Sequence, residues 1–540
     1  MRRGRRIRLR VLGMGLAGLL GVGLGTASGL AGWMLAGAAP VSAADGEKLL
    51  DRAADRPVDR VLLAAALNHI DEQFLEPVDL ERLALDGLAG LSRLDPAVSF
   101  SRAGGVLGVT VAGQGIGEFT LPVRRRPSDW ADFAARVAES VRLRSPALTA
   151  AGTEAVHKAV IDGMTADLDG SSRYTTPEQA KAERSVRDGY VGIGVTVRRE
   201  AERLMIADVI PDGPADRAGI RPGEALLAVD GVSIDGLEVE AVATRLAGRA
   251  GSPVQVTVGP PTATARQGRR LSLRRDRVVP RTVTAEVQDG VGIIRIERFN
   301  AATLVNLSDA IRQLKDRLGR QGRGYVLDLR GNPGGLLDQA VAVADRFVTD
   351  GTIVSTEGRH PDSLQHYDAR SDDQLSGAPL VVLVDGRSAS AAEVVAAALQ
   401  DSGRAAVVGA SSYGKGSVQT VIPLPNQGEL FLTWSRIHAP SGYTLHKQGV
   451  QPSLCTSREG ATAAGIVEEL RSGGTIPTST IALWQDQALS DPAALAQLRA
   501  ACPKREHEPA LDLEVAKALL ADPALYRRAL ARSHRAVAAR

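Results

Sequence analysis

Ser390 and Lys415 stand 25 positions apart in surroundings that suit acyl transfer. Ser390 lies in Leu380-Val381-Val382-Leu383-Val384-Asp385-Gly386-Arg387-Ser388-Ala389-Ser390-Ala391-Ala392-Glu393. The segment predicts a buried strand, a tight turn and a helix, with two serines at the junction. There the unpaired amides and the dipole of a helix start favour developing negative charge. The same place suits a plain helix N-cap, for which serine is a preferred residue. The segment alone leaves both readings open.

Lys415 lies in Gly409-Ala410-Ser411-Ser412-Tyr413-Gly414-Lys415-Gly416-Ser417, a small-residue loop expected between two strands. Only eight of the 65 basic residues are Lys, so a Lys here is informative. Arg keeps its proton, whereas a desolvated Lys falls from about 10.4 towards about 7–8 and acts as a general base. Gly409 to Lys415 also fits the phosphate-loop spacing G-x-x-x-x-G-K, but Gly416 stands where a magnesium-binding Ser or Thr is required. Ser417 to Leu424 reads as a strand rather than the helix such a loop feeds, so nucleotide binding is set aside. Arg330-Gly331-Asn332-Pro333-Gly334-Gly335 follows an apolar strand and offers the preorganised backbone amides that an oxyanion needs. A simple strand-to-helix turn is the other reading. The eight histidines are scattered outside any motif, metal-ligand spacing is absent, and no cofactor is expected.

The elements around these residues follow from patterning. At 540 residues the chain predicts several domains. Residues 263–455 alternate strands (291–296, 325–329, 380–384) with helices (302–318, 336–347, 391–399), the signature of an α/β layer architecture. Residues 189–262 form short β-branched runs broken by Gly and Pro, with one helix near 237–246, as in a small β domain. A further strand around Leu271-Ser272-Leu273 is placed in the connection that follows. Residues 45–188 predict a helical N-terminal region, with Leu62, Leu63, Leu67 and Ile70 at helical spacing. Within it, Asp86-Gly87-Leu88 before Leu94-Asp95 parallels Asp162-Gly163-Met164 before Leu168-Asp169, which reads as a duplicated or expanded helical segment, two unrelated helix ends that both use Asp and Gly being the other reading. Residues 456–540 predict a polar helical extension without recognisable chemistry.

Residues 1–44 carry six arginines, an apolar stretch and Val41-Ser42-Ala43-Ala44, an export signal. The apolar run also exceeds the ~20 residues of a membrane span, so both a cleaved signal peptide and an N-terminal membrane anchor stay open. Either places the rest outside the cytoplasm, in the periplasm or cell envelope. Cys455 and Cys502 can form one disulfide or remain two buried thiols. The net charge of +3 is small for this length and gives no reason to expect nucleic acid as a partner.

Taken together, Ser388-Ala389-Ser390-Ala391-Ala392-Glu393, Leu399-Gln400-Asp401, Gly414-Lys415-Gly416-Ser417-Val418-Gln419 and Asp328-Leu329-Arg330-Gly331-Asn332-Pro333-Gly334-Gly335 resemble the carboxyl-terminal processing peptidases, also called tail-specific proteases. The Gly192-Ile193-Gly194-Val195 unit is similar to their PDZ domain, and Met164 to Pro177 to the segment before it. The resemblance covers about 150–455. It implies a ClpP/crotonase-like protease core of mixed sheet and helix with an inserted PDZ β-barrel domain. It further implies Ser390 as nucleophile, Lys415 as general base and Gln419 as the residue orienting that lysine. The amide of Ala391, with that of Gly334 or Gly335, would form the oxyanion hole. Gly192, Ile193, Gly194 and Val195 would hold the free C-terminus of a protein or peptide substrate. An adaptor protein and, through the N-terminal segment, the membrane are partner expectations as well. Lys415 and Gln419 are four apart, about 13 Å along a strand, so they share a face only if the chain turns there. Asp401 matches a family Asp and equally suits a buried structural hydrogen bond. The sequence departs from the family at Ala392 (a serine), at Ser453 (an Asp) and at residues 101–150, which look inserted. A catalytically inactive PDZ scaffold is the alternative, but a binder needs no complete set of Ser390, Lys415 and glycine turn.

Overall fold

The computed structural model describes residues 58–124, 126–473, 492–504 and 509–538. The expected leader, 1–44, lies outside the described residues. Among the described residues no helix is long and apolar enough to cross a membrane.

In the N-terminal region four helices, Arg60–Gln73, Leu80–Ala89, Pro127–Arg142 and Pro146–Ala166, enclose one apolar cluster. Asp59 Oδ1 accepts from the Val61 amide at 2.8 Å and starts the first helix, which buries Leu62, Leu63, Leu67 and Ile70 as their spacing predicts. The two Asp-Gly signatures meet in space. A Cβ on Gly163 would lie 2.4 Å from the Asp86 carbonyl oxygen, and one on Gly87 2.9 Å from that of Val160. Each glycine therefore lets the backbone of one helix touch the other.

The region is not helical throughout. Val98–Ala103, Val106–Val111 and Gln114–Thr120 form an antiparallel three-stranded sheet that overlaps the start of the stretch that looked inserted. Two-residue loops, Gly104-Gly105 and Ala112-Gly113, join its strands. Leu107, Val109 and Val111 alternate inward to the helices, a period of two masked by the surrounding glycines.

The small β domain is an antiparallel sheet in the order Arg269–Arg274, Pro253–Gly259, Ala225–Val229, Arg203–Val209, Val195–Glu200. The strand expected in the connection after residue 262 is thus part of this sheet, because Leu271 and Leu273 face the apolar cluster closed by the helix Val239–Leu246. Val195–Glu200 is left as an edge strand beside that helix. The domain leaves and rejoins the chain through the antiparallel pair Tyr190–Gly192 and Asp276–Val278.

The core sheet runs Val283–Gln288, Val291–Ile296, Gly324–Asp328, Leu380–Val384, Ala406–Gly409, Leu454–Cys455, parallel from the second strand onward. Gly324–Asp328 and Leu380–Val384 are buried along their whole length, as parallel strands covered on both faces are. Helices Thr303–Leu318, Leu337–Ala344 and Ala391–Asp401 cover one face. The other face is covered by the C-terminal helices Ala463–Ser472, Pro509–Ala521 and Pro523–Ala538. The extension expected to be merely polar is amphipathic, with Val515, Leu519, Leu520 and Leu525 packed on Val326, Val381 and Leu383. A second, antiparallel sheet of Gln365–Asp368, Thr352–Glu357, Glu429–His438 and Ser417–Pro423 stands beside the core, with Arg173–Thr175 paired to Glu429–His438. Cys455 and Cys502 are joined by a disulfide.

Candidate functional site

The site forms where three turns converge. The first follows Leu380–Val384, where Asp385 Oδ1 accepts the amides of Gly331 at 2.9 Å, Arg387 at 3.0 Å and Ser388 at 2.9 Å. Burial pushes the Asp385 carboxyl up, but these amides and the Arg387 charge hold it below its ordinary value. Of the two serines at the junction, Ser388 is fully buried, and its Oγ donates to the Leu329 carbonyl at 2.8 Å. It ties this turn to the glycine turn. Ser390 faces a cleft and adopts φ 55°, ψ −115°. A helix N-cap ordinarily has extended backbone, whereas Ser390, at the N-cap of Ala391–Asp401 and bonded through its amide to Glu393, is also a strained elbow, of the kind that presents a side chain above a strand-to-helix turn.

The second turn is 330–335. Asn332 Nδ2 donates to the Ile296 carbonyl and its Oδ1 accepts the Gly334 amide, both at 2.8 Å. The Gly334 carbonyl takes the Phe299 amide at 3.0 Å. Both glycines have positive φ and no room for a side chain. A Cβ on Gly334 would lie 2.8 Å from Ser390 Cβ, and one on Gly335 2.0 Å from the Phe299 carbonyl oxygen. The Gly334 amide is therefore engaged. The amides of Gly335 and of Ala391, the first residue of its helix, meet no acceptor among the described residues.

The third turn carries Lys415. Ser412 Oγ and the amides of Gly414 and Lys415 all donate to the carboxylate of Glu393, at 2.5, 2.6 and 2.9 Å. Glu393 belongs to the Ser390 helix and is completely buried. Gly416 has no space for the Ser or Thr of a phosphate loop, since a Cβ there would meet the His446 amide nitrogen at 1.9 Å. The chain then continues as the strand Ser417–Pro423, so no helix start is available to a phosphate. Lys415 is half-buried, and burial lowers its pKa from the ordinary value, helped by the Arg173 charge and opposed by Asp169 and Glu393. Its Nζ reaches Gln419 Oε1 at 3.5 Å, and Gln419 Nε2 donates to the Ser171 carbonyl.

Ser390, Ala391, Gly334, Gly335, Lys415 and Gln419 all line one cleft of about 690 Å³. Phe431, with Arg173 stacked 3.8 Å above its ring centroid, forms part of its wall. The Gly192–Val195 loop does not line it. It stands in the small β domain, where the Ile193 carbonyl accepts the Ala215 amide and that of Gly194 the Ile210 amide. Asp401 also lies apart, its Oδ2 accepting the amide and hydroxyl of Ser441 at 3.0 and 2.6 Å. Ser453 takes a hydrogen bond from Gln400 Nε2 at 3.2 Å in the same buried layer. Two contributors were not singled out in the sequence. Glu393 had a signal in the Ser-x-x-Glu spacing of a capping box. Asp512, fully buried in the C-terminal extension and 3.0 Å from Arg330 of the glycine turn, had none.

The model of peptidase family S41 matches residues 290–455, and a PDZ domain model matches 205–258. The carboxy-terminal-processing protease of Bartonella bacilliformis is 36% identical over 315 residues, covering 58% of this chain and 72% of the relative. The carboxy-terminal processing protease CtpA of Bacillus subtilis is 33% identical over 299 residues, covering 54% and 62%. Among solved structures, the photosystem II D1 C-terminal processing protease is 26% identical over 73% of this chain and 92% of its own, with a TM-score of 0.37.

Proposed function

The chain belongs to the carboxy-terminal-processing proteases of peptidase family S41, with a PDZ domain, and from that premise we propose a serine endopeptidase that cuts with Ser390 and Lys415. Lys415 in its neutral form removes the Ser390 Oγ proton as Oγ attacks a substrate peptide carbonyl. The carbonyl electrons move onto oxygen. The intermediate collapses to an acyl-enzyme, Lys415 returns its proton to the leaving amine, and water then releases the acyl group. Of the two glycines, Gly335 is the better oxyanion donor beside Ala391, because the Gly334 amide is taken by Asn332. Gln419, anchored on the Ser171 carbonyl, orients the lysine through its Oε1.

The observation that carries this reading is the strained Ser390 in one cleft with a lysine whose pKa is lowered mainly by burial. A binding scaffold gains nothing from either. The edge strand Val195–Glu200 is free to accept a substrate C-terminal segment as an added strand, with the carboxylate on the Gly192–Val195 loop. Substrates are then exported proteins with free C-termini, met in the periplasm or cell envelope. The test is cleavage of an unfolded reporter protein by Ser390→Ala and Lys415→Ala. Both lose turnover, and wild-type rates in either variant refute the assignment.

A further inference from the structure

Residues 492–504 return from the C-terminal extension to the outside of the Lys415 loop. The helix Pro492–Ala500 brings Arg499, whose Nη2 donates to the Lys447 carbonyl, while the Lys447 amide in turn donates to Gly414 at 2.8 Å. The Cys502 carbonyl accepts Ser411 Oγ at 2.6 Å. Lys504 Nζ donates to the Tyr413 carbonyl and lies 5.0 Å from that ring's centroid. A Cβ on Gly414 would come within 3.0 Å of the Arg499 guanidinium. These contacts fall on the residues just before Lys415. From the inside the same stretch is held by Glu393, so the loop is clamped between a buried acid and an external strap.

The strap's hydrogen bonds are individually weak, as such bonds are against water. What fixes it covalently is the disulfide from Cys502 to Cys455, at the end of the last core strand. We propose that Arg499, Cys502 and Lys504 are positioning residues for Lys415, and that the Cys455–Cys502 disulfide makes turnover depend on its thiol–disulfide state. This rests on the reading of Lys415 as the base. A dithiol reductant supplies two electrons and two protons. The Sγ–Sγ bond breaks, both cysteines become thiols, and the reductant closes to its own disulfide. The strap then leaves the loop, and Lys415 moves out of register with Ser390 while the substrate-binding PDZ domain is unchanged.

The test compares the full-length enzyme oxidised and reduced by dithiothreitol, with both thiols confirmed by titration. Reduction is expected to lower kcat on the order of tenfold or more, the scale of a small misplacement of a catalytic group, with KM unchanged. Hydrogen exchange of the amides 411–416 accelerates in parallel. The Cys455→Ala/Cys502→Ala variant has the low kcat with or without reductant, and Lys504→Ala lowers kcat with the disulfide intact, which serves where the cysteine variant does not fold. A reduced enzyme turning over at the oxidised rate overturns the proposal. Wild-type kcat in Lys415→Ala overturns the base assignment instead, so the two failures are distinguishable.

Discussion

The amide of Ser390 donates at 2.7 Å to Oε2 of Glu393, the same oxygen that accepts the amide of Lys415 at 2.9 Å. One buried carboxylate thus holds the backbones of the proposed nucleophile and the proposed base. Burial pushes its pKa up, against the donors that favour the charged form. Glu393→Gln turns an NH₂ group toward some of these donors. It is expected to reduce kcat at least tenfold and to cost about 1–3 kcal/mol of stability, read by denaturant unfolding.

In the proposed role of Lys415 catalysis requires the neutral amine, so kcat is expected to rise as pH rises through its folded pKa. Because that pKa is lowered, the rise comes earlier than for a free lysine. Arg173→Gln removes a charge that helps hold it down and moves the limb of the pH–rate profile to higher pH. Lys415→Arg has no turnover at any pH in the range.

A methyl group on Gly335 collides with the Phe299 carbonyl. Gly335→Ala is expected to displace the oxyanion turn and lower kcat by about 10²–10³, the cost of losing one such donor. Peptide binding to the PDZ domain, measured by fluorescence anisotropy, stays at the wild-type level.

Recognition of a free C-terminus makes affinity depend on the terminal carboxylate. A peptide amidated at its C-terminus is expected to bind at least about tenfold more weakly than its acid, with the loss seen in anisotropy titrations.

His446, beside Gly416, is held neutral by burial and by the Arg436 and Lys447 charges, its pKa lowered to about 4. Between about 4 and 6.5 the unfolded chain binds more protons there than the folded one, so stability rises with pH across that window. His446→Gln flattens this part of the profile of Tm against pH.

Much of the core was legible because short, β-branched apolar runs such as Leu380–Val384 suit buried strands better than helices, and because a lysine in an arginine-rich chain marks itself. The Lys415–Gln419 contact was not. Lys415 stands in the turn before the strand Ser417–Pro423, and a bulge between Val418 and Gln419 interrupts that strand's pairing, so the spacing of a continuous strand does not apply and the two side chains meet. The sheet at 98–120 has a weak signal because its first and third strands are mostly exposed and polar, and only Val106–Val111 alternates clearly. The choice between Gly334 and Gly335 turns on a local bond, from the Gly334 amide to the Asn332 side chain two residues earlier, whereas the place of Asp512 depends on a contact across the fold, with Arg330.

The C-terminal helices cover one whole face of the core sheet. The segment that matches the peptidase family ends at residue 455, before any of them. A chain cut there leaves Val326, Val381, Leu383 and Val408 open to water, an invitation to aggregate. During synthesis Ser390, Lys415 and Gln419 all emerge before the layer that covers the far face of their sheet. That face of the core sheet therefore stays open until the C-terminal helices have been made.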